Sequence, residues 1–349
     1  MLDNAIPEHL RGDRVLPANT PSADFQPAYP SYSARFPEKA TELVMALIGA
    51  QYRTKTEADG LGQSKISSFL VSDETPPSFH EWTSFIDNKG YYNLVAFAYW
   101  PSTADYETWG KESGFKKWWE SLQVGDHSNG WFLEVFHPPM ERFETLFNTQ
   151  TPEGSGHLRE AWSGEVQQHG YWGSMRDRLP ISLTDSLEGT KISIDPSSGV
   201  QGRVRIPGKH NLAVIRSGQD WLITTPEERE LYLNTMQPVL IKGMDFLRDH
   251  GEEVDCYSCR FMDVIDPATH AADKDRTFGV AYFSDLKSLE GWCKEHPTHL
   301  AIFGGFFQYA KKLKYNVNLR VFHEVMVLEP EQQFFEYIGC HPGTGILQG

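Results

Sequence analysis

Two histidines stand where an imidazole could do chemistry as well as fill space. His323 lies on the alternating row Val317, Leu319, Val321, His323, Val325 and Val327, the one polar side chain on an aliphatic strand face. Imidazole titrates near neutrality and could act as acid or base in a dry pocket there; a core histidine hydrogen-bonded to backbone fits the same pattern. His299 follows Pro297, which restarts a helix, and at helical spacing it shares a face with Ile302, Phe303, Phe306 and Ala310. An imidazole walled by aromatics is what one face of an iron porphyrin requires, and it is also what a histidine on an ordinary apolar stripe looks like. No C-x-x-C-H offers covalent attachment, so a haem bound here would be of the b type.

Other motifs carry less. Cys256-Tyr-Ser-Cys259 has the spacing of redox and zinc sites, but no second C-x-x-C or H-x-x-x-H lies near it, and it reads as incidental. Gly343-Thr-Gly345 lacks the strand before it and the Lys-Ser/Thr after it that a phosphate loop needs. Gly173-Ser174 and Ser217-Gly218 fall outside the G-x-S-x-G frame of a nucleophile elbow.

The elements that must position the two histidines recur. Residues 91–100 are apolar on both alternating rows, as in a strand covered on both faces; a helix follows over 103–122, then a strand over 130–137. Near the C-terminus the same order returns, with an apolar strand at 278–283, a helix from Asp285 and a long strand over 317–328. Ala98-Tyr99-Trp100 overlays Ala281-Tyr282-Phe283, Trp109 overlays Trp292, and Val135-Phe136-His137 overlays Val321-Phe322-His323, which implies an internal duplication. Ungapped, that overlay sets Lys116 against His299, so only the second half is expected to bind haem.

Around these units, residues 1–37 read as an extended Pro- and Ser-rich arm, 38–54 as a helix and 55–88 as mixed and polar. Residues 204–217 read as two short strands joined at Pro207-Gly208. A helix starts with Thr225 as cap, Pro226 in the first position and Glu228 in the third, is kinked by Pro238, and stops at Gly251. The expected fold is α+β: an arm (1–37), then two ferredoxin-like units (38–200 and 201–349) whose sheets pack face to face or close into a barrel, the second carrying the haem ligand.

Charge narrows the partners. Among 349 residues, 47 acidic against 32 basic side chains leave a net charge of −15, which argues against nucleic acid and anionic membrane. Four cysteines are too few for a disulfide framework at this length, and no basic n-region precedes an apolar run, so a soluble cytoplasmic protein is expected. No stretch approaches the roughly 18 consecutive apolar residues of a spanning helix.

The densest text lies elsewhere: Phe143-Glu-Thr-Leu146, His169 to Arg178, Ile215 to Trp221, Gly243 to Arg248, His296-Pro-Thr-His-Leu300, Phe322-His-Glu-Val325 and Cys340 to Gly345. In these motifs the chain resembles the haem-containing aldoxime dehydratases over nearly its whole length. The resemblance implies a ferrous haem b with His299 as proximal ligand, His323 as distal acid and base, Ser217 and Arg178 orienting the oxime oxygen and Glu144 tuning His323. It further implies the conversion of a small aldoxime, R–CH=N–OH, to a nitrile and water by a homodimer of the barrel type. A haem-binding or haem-sensing protein without turnover and a haem peroxidase, whose distal His and Arg look alike in sequence, are the alternatives.

Overall fold

A computed structural model describes the chain except residues 1, 19–24, 72–74, 126, 171–172, 191–201, 273 and 349. Apart from a two-stranded ribbon of Ala34–Arg35 with Ala161–Trp162, its strands in chain order are β1 (Val44–Tyr52), β2 (Phe79–Ile86), β3 (Tyr92–Trp100), β4 (Gly130–Phe136), β5 (Phe143–Phe147), β6 (Arg203–Ile206), β7 (Leu212–Asp220), β8 (Cys256–Val264), β9 (Arg276–Phe283), β10 (Arg320–Leu328) and β11 (Gln333–Ile338). All eleven join one sheet in the order β5-β10-β7-β9-β8-β2-β3-β1-β4-β11-β6.

Within that order the first quartet runs β2-β3-β1-β4, and the second, β10-β7-β9-β8, is the same succession in reverse. The two quartets meet edge to edge where Asp263 and Val264 of β8 pair with Ser84 and Thr83 of β2. Each quartet also lends the other a strand. β5, which follows the first quartet, pairs with β10, and β11, which follows the second, pairs with β4.

The sheet curls so that one face becomes an interior shared by both halves. Phe97 meets Phe278 at 4.9 Å and Phe136 meets Tyr282 at 5.5 Å, within a cluster that also takes in Phe322, Met326 and Phe335. Buried ion pairs share that interior: Arg216 with Glu324 and Glu81, and Arg260 with Glu134. The outer face is covered by helices: α1 (Leu61–Leu70), α2 (Thr103–Glu112) and α3 (Phe115–Ser121) in the first half, and α4 (Pro226–Leu231), α5 (Gln237–His250), α6 (Leu286–Glu295) and α7 (Pro297–Lys312) in the second.

Several expectations change. Residues 38–54 hold strand β1, not a helix: every residue of β1 is buried, between β3 and β4 in the sheet and between interior and helices across it, so the alternation that marks a strand is absent. The mixed 55–88 segment yields α1 and β2. The helix expected over 103–122 breaks at Ser113-Gly114, where Gly114 takes a left-handed φ of 80°. The two strands near Pro207 form no hairpin, since β6 pairs with β11 while β7 runs between β9 and β10.

The Thr225 cap forms as expected, its hydroxyl accepting from Glu228 N at 3.2 Å. The kink at Pro238 is a π-helical turn over Tyr232–Met236, placed where the proline has no N–H to donate back. Both rows of β10 are buried, so the aliphatic face bearing His323 looks at the helical layer, while Phe322, Glu324 and Met326 fill the interior.

Candidate active site

Between the sheet and the helices of the second half lies a cleft walled mainly by apolar side chains and partly open to solvent. Strand alternation makes one wall: Ile215, Ser217 and Gln219 from β7, Gly279 and Ala281 from β9, Val321 and His323 from β10. Helices α5 to α7 make the other, with Met244, Cys293, His299 and Ile302. His323 and Ser217 are directly paired across β10 and β7, and His299 faces the same cavity from the helical wall.

His299 sits in the first turn of α7, its ring edge against Trp292 at 4.7 Å between centroids. Trp292 Nε1 in turn donates to Thr298 Oγ1 at 3.2 Å, which fixes the corner between α6 and α7. Burial presses the His299 pKa down to about 4 against the pull of the Cys293 carbonyl, so the ring is neutral and keeps a lone pair for a metal. Its Nδ1 is buried with no partner at hydrogen-bonding geometry. Gly279 keeps the slot open, because a Cβ there would stand 3.0 Å from Met244 Sδ. Apolar walls, one neutral imidazole and a glycine-lined gap fit a flat iron porphyrin, and His299 is the residue placed where it could hold one.

On the sheet wall His323 is built into a buried charged group. Its Nε2 lies 2.8 Å from Glu144 Oε1 and 3.2 Å from Arg178 Nη2. Arg178 grips the same carboxylate with Nε at 3.0 Å and Nη2 at 3.2 Å, and is itself anchored on the Gln168 carbonyl at 3.0 Å and Ser174 Oγ at 3.3 Å. Burial would raise the Glu144 pKa, but Arg178 and His323 pull harder and hold it at about 2. The carboxylate is therefore ionised throughout the working range of an enzyme.

A depressed carboxylate pKa stabilises the fold fully above the ordinary carboxylate range, and that stability is lost as pH falls toward about 2. The wild type should thus lose more thermal stability between pH 5 and pH 2 than Glu144→Gln does. Equal losses in two melting series would contradict this assignment. Arg178 is not among the residues lining the cavity; it stands behind His323 and Glu144.

The first half shows what this site looks like without function. Ile48 pairs with Ala96 and Leu133 as Ser217 pairs with Gly279 and His323. Leu133 therefore holds the place of His323. The overlay of His137 on His323 is wrong by register: His137 lies beyond the end of β4, hydrogen-bonded to Thr103 at 3.0 Å. By the same pairing Phe334 holds the place of Glu144. Lys116 is exposed, and Trp109, Phe115 and Trp119 fill the space beside it. Haem titration of the apoprotein should accordingly saturate at one per chain; saturation at two would contradict it.

Cys259 and Cys293 line the cavity, so the C-x-x-C is not wholly incidental. Burial pushes both thiols up to about 12, which leaves them neutral packing groups. Tyr171 and Trp172 of the densest motif lie outside the described residues. Two polar residues of the wall, Gln219 and Tyr232, were not singled out in the sequence, although Gln219 shares the period-two row of Ser217.

Known proteins similar to this chain in sequence and structure agree with the site. The family described as haem-containing dehydratase matches residues 46–346. The chain is 40% identical to an aliphatic aldoxime dehydratase of Pseudomonas chlororaphis, over 99% of this chain and 98% of the relative. It is 31% identical to phenylacetaldoxime dehydratase of Bacillus sp. (strain OxB-1), over 91% and 90%. A crystal structure of an aldoxime dehydratase in complex with butyraldoxime superposes with a TM-score of 0.90 at 39% identity, covering 99% of this chain and 96% of that one.

Proposed function

The chain belongs to the haem-containing dehydratase family, and on that premise we propose how its residues divide the work of turning R–CH=N–OH into R–C≡N and water. It is a carbon–nitrogen lyase acting on aldoximes with haem b as cofactor. The haem, held through His299, supplies in its ferrous state the electron density that weakens the N–O bond.

Everything else falls to the protein. Hydroxide is a poor leaving group, so its departure needs a proton. With Glu144 ionised, doubly protonated His323 keeps its Nε2 hydrogen on Oε1 while Nδ1 passes its proton to the departing oxygen, and the proton taken from carbon restores Nδ1–H. Ser217, paired with His323 across the strands, hydrogen-bonds the oxime hydroxyl and holds it at that nitrogen. Arg178 acts from behind: its guanidinium fixes Glu144, and its charge favours negative charge building on the departing oxygen. The apolar walls exclude water and leave the oxime as the polar end of the substrate.

The observation that carries this reading is one cavity with a neutral imidazole on the helical wall and a histidine–carboxylate pair on the sheet wall. The test is to offer the haem-loaded protein an aldoxime with and without dithionite, then peroxide with an electron donor. Nitrile under reducing conditions is expected. Peroxide consumption without nitrile would point to a peroxidase, and no turnover of either to a sensor.

The strand order supports reading the fold as two duplicated ferredoxin-like units, 38–200 and 201–349, behind an arm over 1–37, that form a dimeric barrel-type haem protein. We propose a cytoplasmic homodimer, whose mass sedimentation velocity reads directly. No helix among the described residues is long and apolar enough to cross a membrane.

A further inference from the structure

At one end of the apolar cavity the wall turns polar without any part in the proton transfers. Gln219 lies two residues beyond Ser217 on β7 and faces the same cavity, about 7 Å along the strand. Its Oε1 accepts from Thr277 Oγ1 at 3.2 Å, which aims the two N–H donors of the amide elsewhere. Tyr232, 1% exposed, lines the cavity too, and its buried hydroxyl has Thr277 beside it but no partner at hydrogen-bonding geometry. Buried hydroxyls nearly always find a partner, so one without asks for a molecule the side chains do not supply.

The first half sharpens the point. The register that sets Ile48 against Ser217 and Leu133 against His323 sets Ala50 against Gln219 and Leu94 against Thr277. Polar side chains replace apolar ones at this row, as at the row of His323, only in the half with a cavity. The π-helical turn over Tyr232–Met236 brings both Tyr232 and Met236 to the cavity, and such turns collect at functional sites.

We infer that the Tyr232 hydroxyl and the Gln219 amide form the receptor for one of the two propionate carboxylates of the haem. The inference rests on the haem reading above. Of the two molecules the cavity must hold, the aldoxime presents its polar group to His323 and Ser217, and the haem is otherwise a hydrocarbon disc. Among the described residues lining the cavity there is no lysine or arginine, so neutral donors take the carboxylate. Two donors meet its two oxygens and fix the rotation of the disc about the His299 axis.

The test compares haem with its dimethyl ester, titrated into the apoprotein and followed by the Soret band. Wild type should bind the free acid more tightly than the ester. Tyr232→Phe and Gln219→Leu should each lose about ten- to a hundredfold in affinity for the acid, the worth of a hydrogen bond to a charged group, while affinity for the ester and the apoprotein melting temperature stay near wild type. Wild type binding acid and ester equally would overturn the inference, as would either variant losing affinity for both forms alike. If Tyr232→Phe does not fold, Gln219→Leu alone decides. Wild type binding neither form would overturn the haem reading and this one with it.

Discussion

His299→Ala is expected to yield a folded chain that no longer retains haem. The substitution falls in the first turn of α7, where alanine favours the helix, and it removes an imidazole whose Nδ1 has no partner at hydrogen-bonding geometry. The neighbouring corner stays fixed through Trp292 and Thr298, so the loss is confined to the cavity. A neutral ring is the ligand form, and burial keeps it neutral well below physiological pH. Haem content after desalting, read against the melting temperature of the apoprotein, separates ligand loss from unfolding. Stoichiometric haem with an unchanged ferrous spectrum in the variant would remove His299 from the iron.

His323→Ala separates the second histidine from the first. Haem should stay, because His323 stands on the wall across from His299, but turnover should fall by at least about 10², the lower end of what general acid–base catalysis contributes. The change also leaves Glu144 and Arg178 to pair with each other alone, at 3.0 and 3.2 Å, so a charge is not stranded in the core. If His323 were only a core histidine, the variant would cost a few kcal/mol of stability for its cavity and keep near-normal turnover per haem. Melting temperature, haem content and nitrile formation on one preparation distinguish the two. Glu144→Gln should fall between, with haem retained and turnover down by about ten- to a hundredfold, since it perturbs the partner of the acting group.

His323 and His299 were legible because strand and helix periodicity put each on an apolar face that the structure turns into a cavity wall, whereas Ser217 came only with the family resemblance. Glu144 and Arg178 could be reached only through resemblance to a family. Glu144 enters through strand pairing between residues far apart in sequence, and Arg178 sits on a short 3₁₀ turn that has no periodicity to read. The strand order was within reach of the two matching segments, but the register was not. The identical Val-Phe-His triplets drew the overlay four residues away from the alignment that hydrogen bonding sets. β1 was misread because full burial erases the alternation that separates strand from helix. Tyr232 stayed hidden because a π-helical turn shifts the spacing on which a helical face is recognised.

The exchanged strands give the site a schedule. Glu144 leaves the ribosome with the first half of the chain, but the partner of its strand, β10, is nearly the last to be made. Pairings of such wide sequence separation form late and slowly. Until β10 is in place the carboxylate faces no imidazole, and the edge of β5 stays open to any other strand that arrives first. A nascent chain therefore has the helix that presents His299 before it has the last strand of the wall opposite. Cofactor captured at that stage would sit in a half-built slot, and the finished pocket is the product of the last strands closing over it.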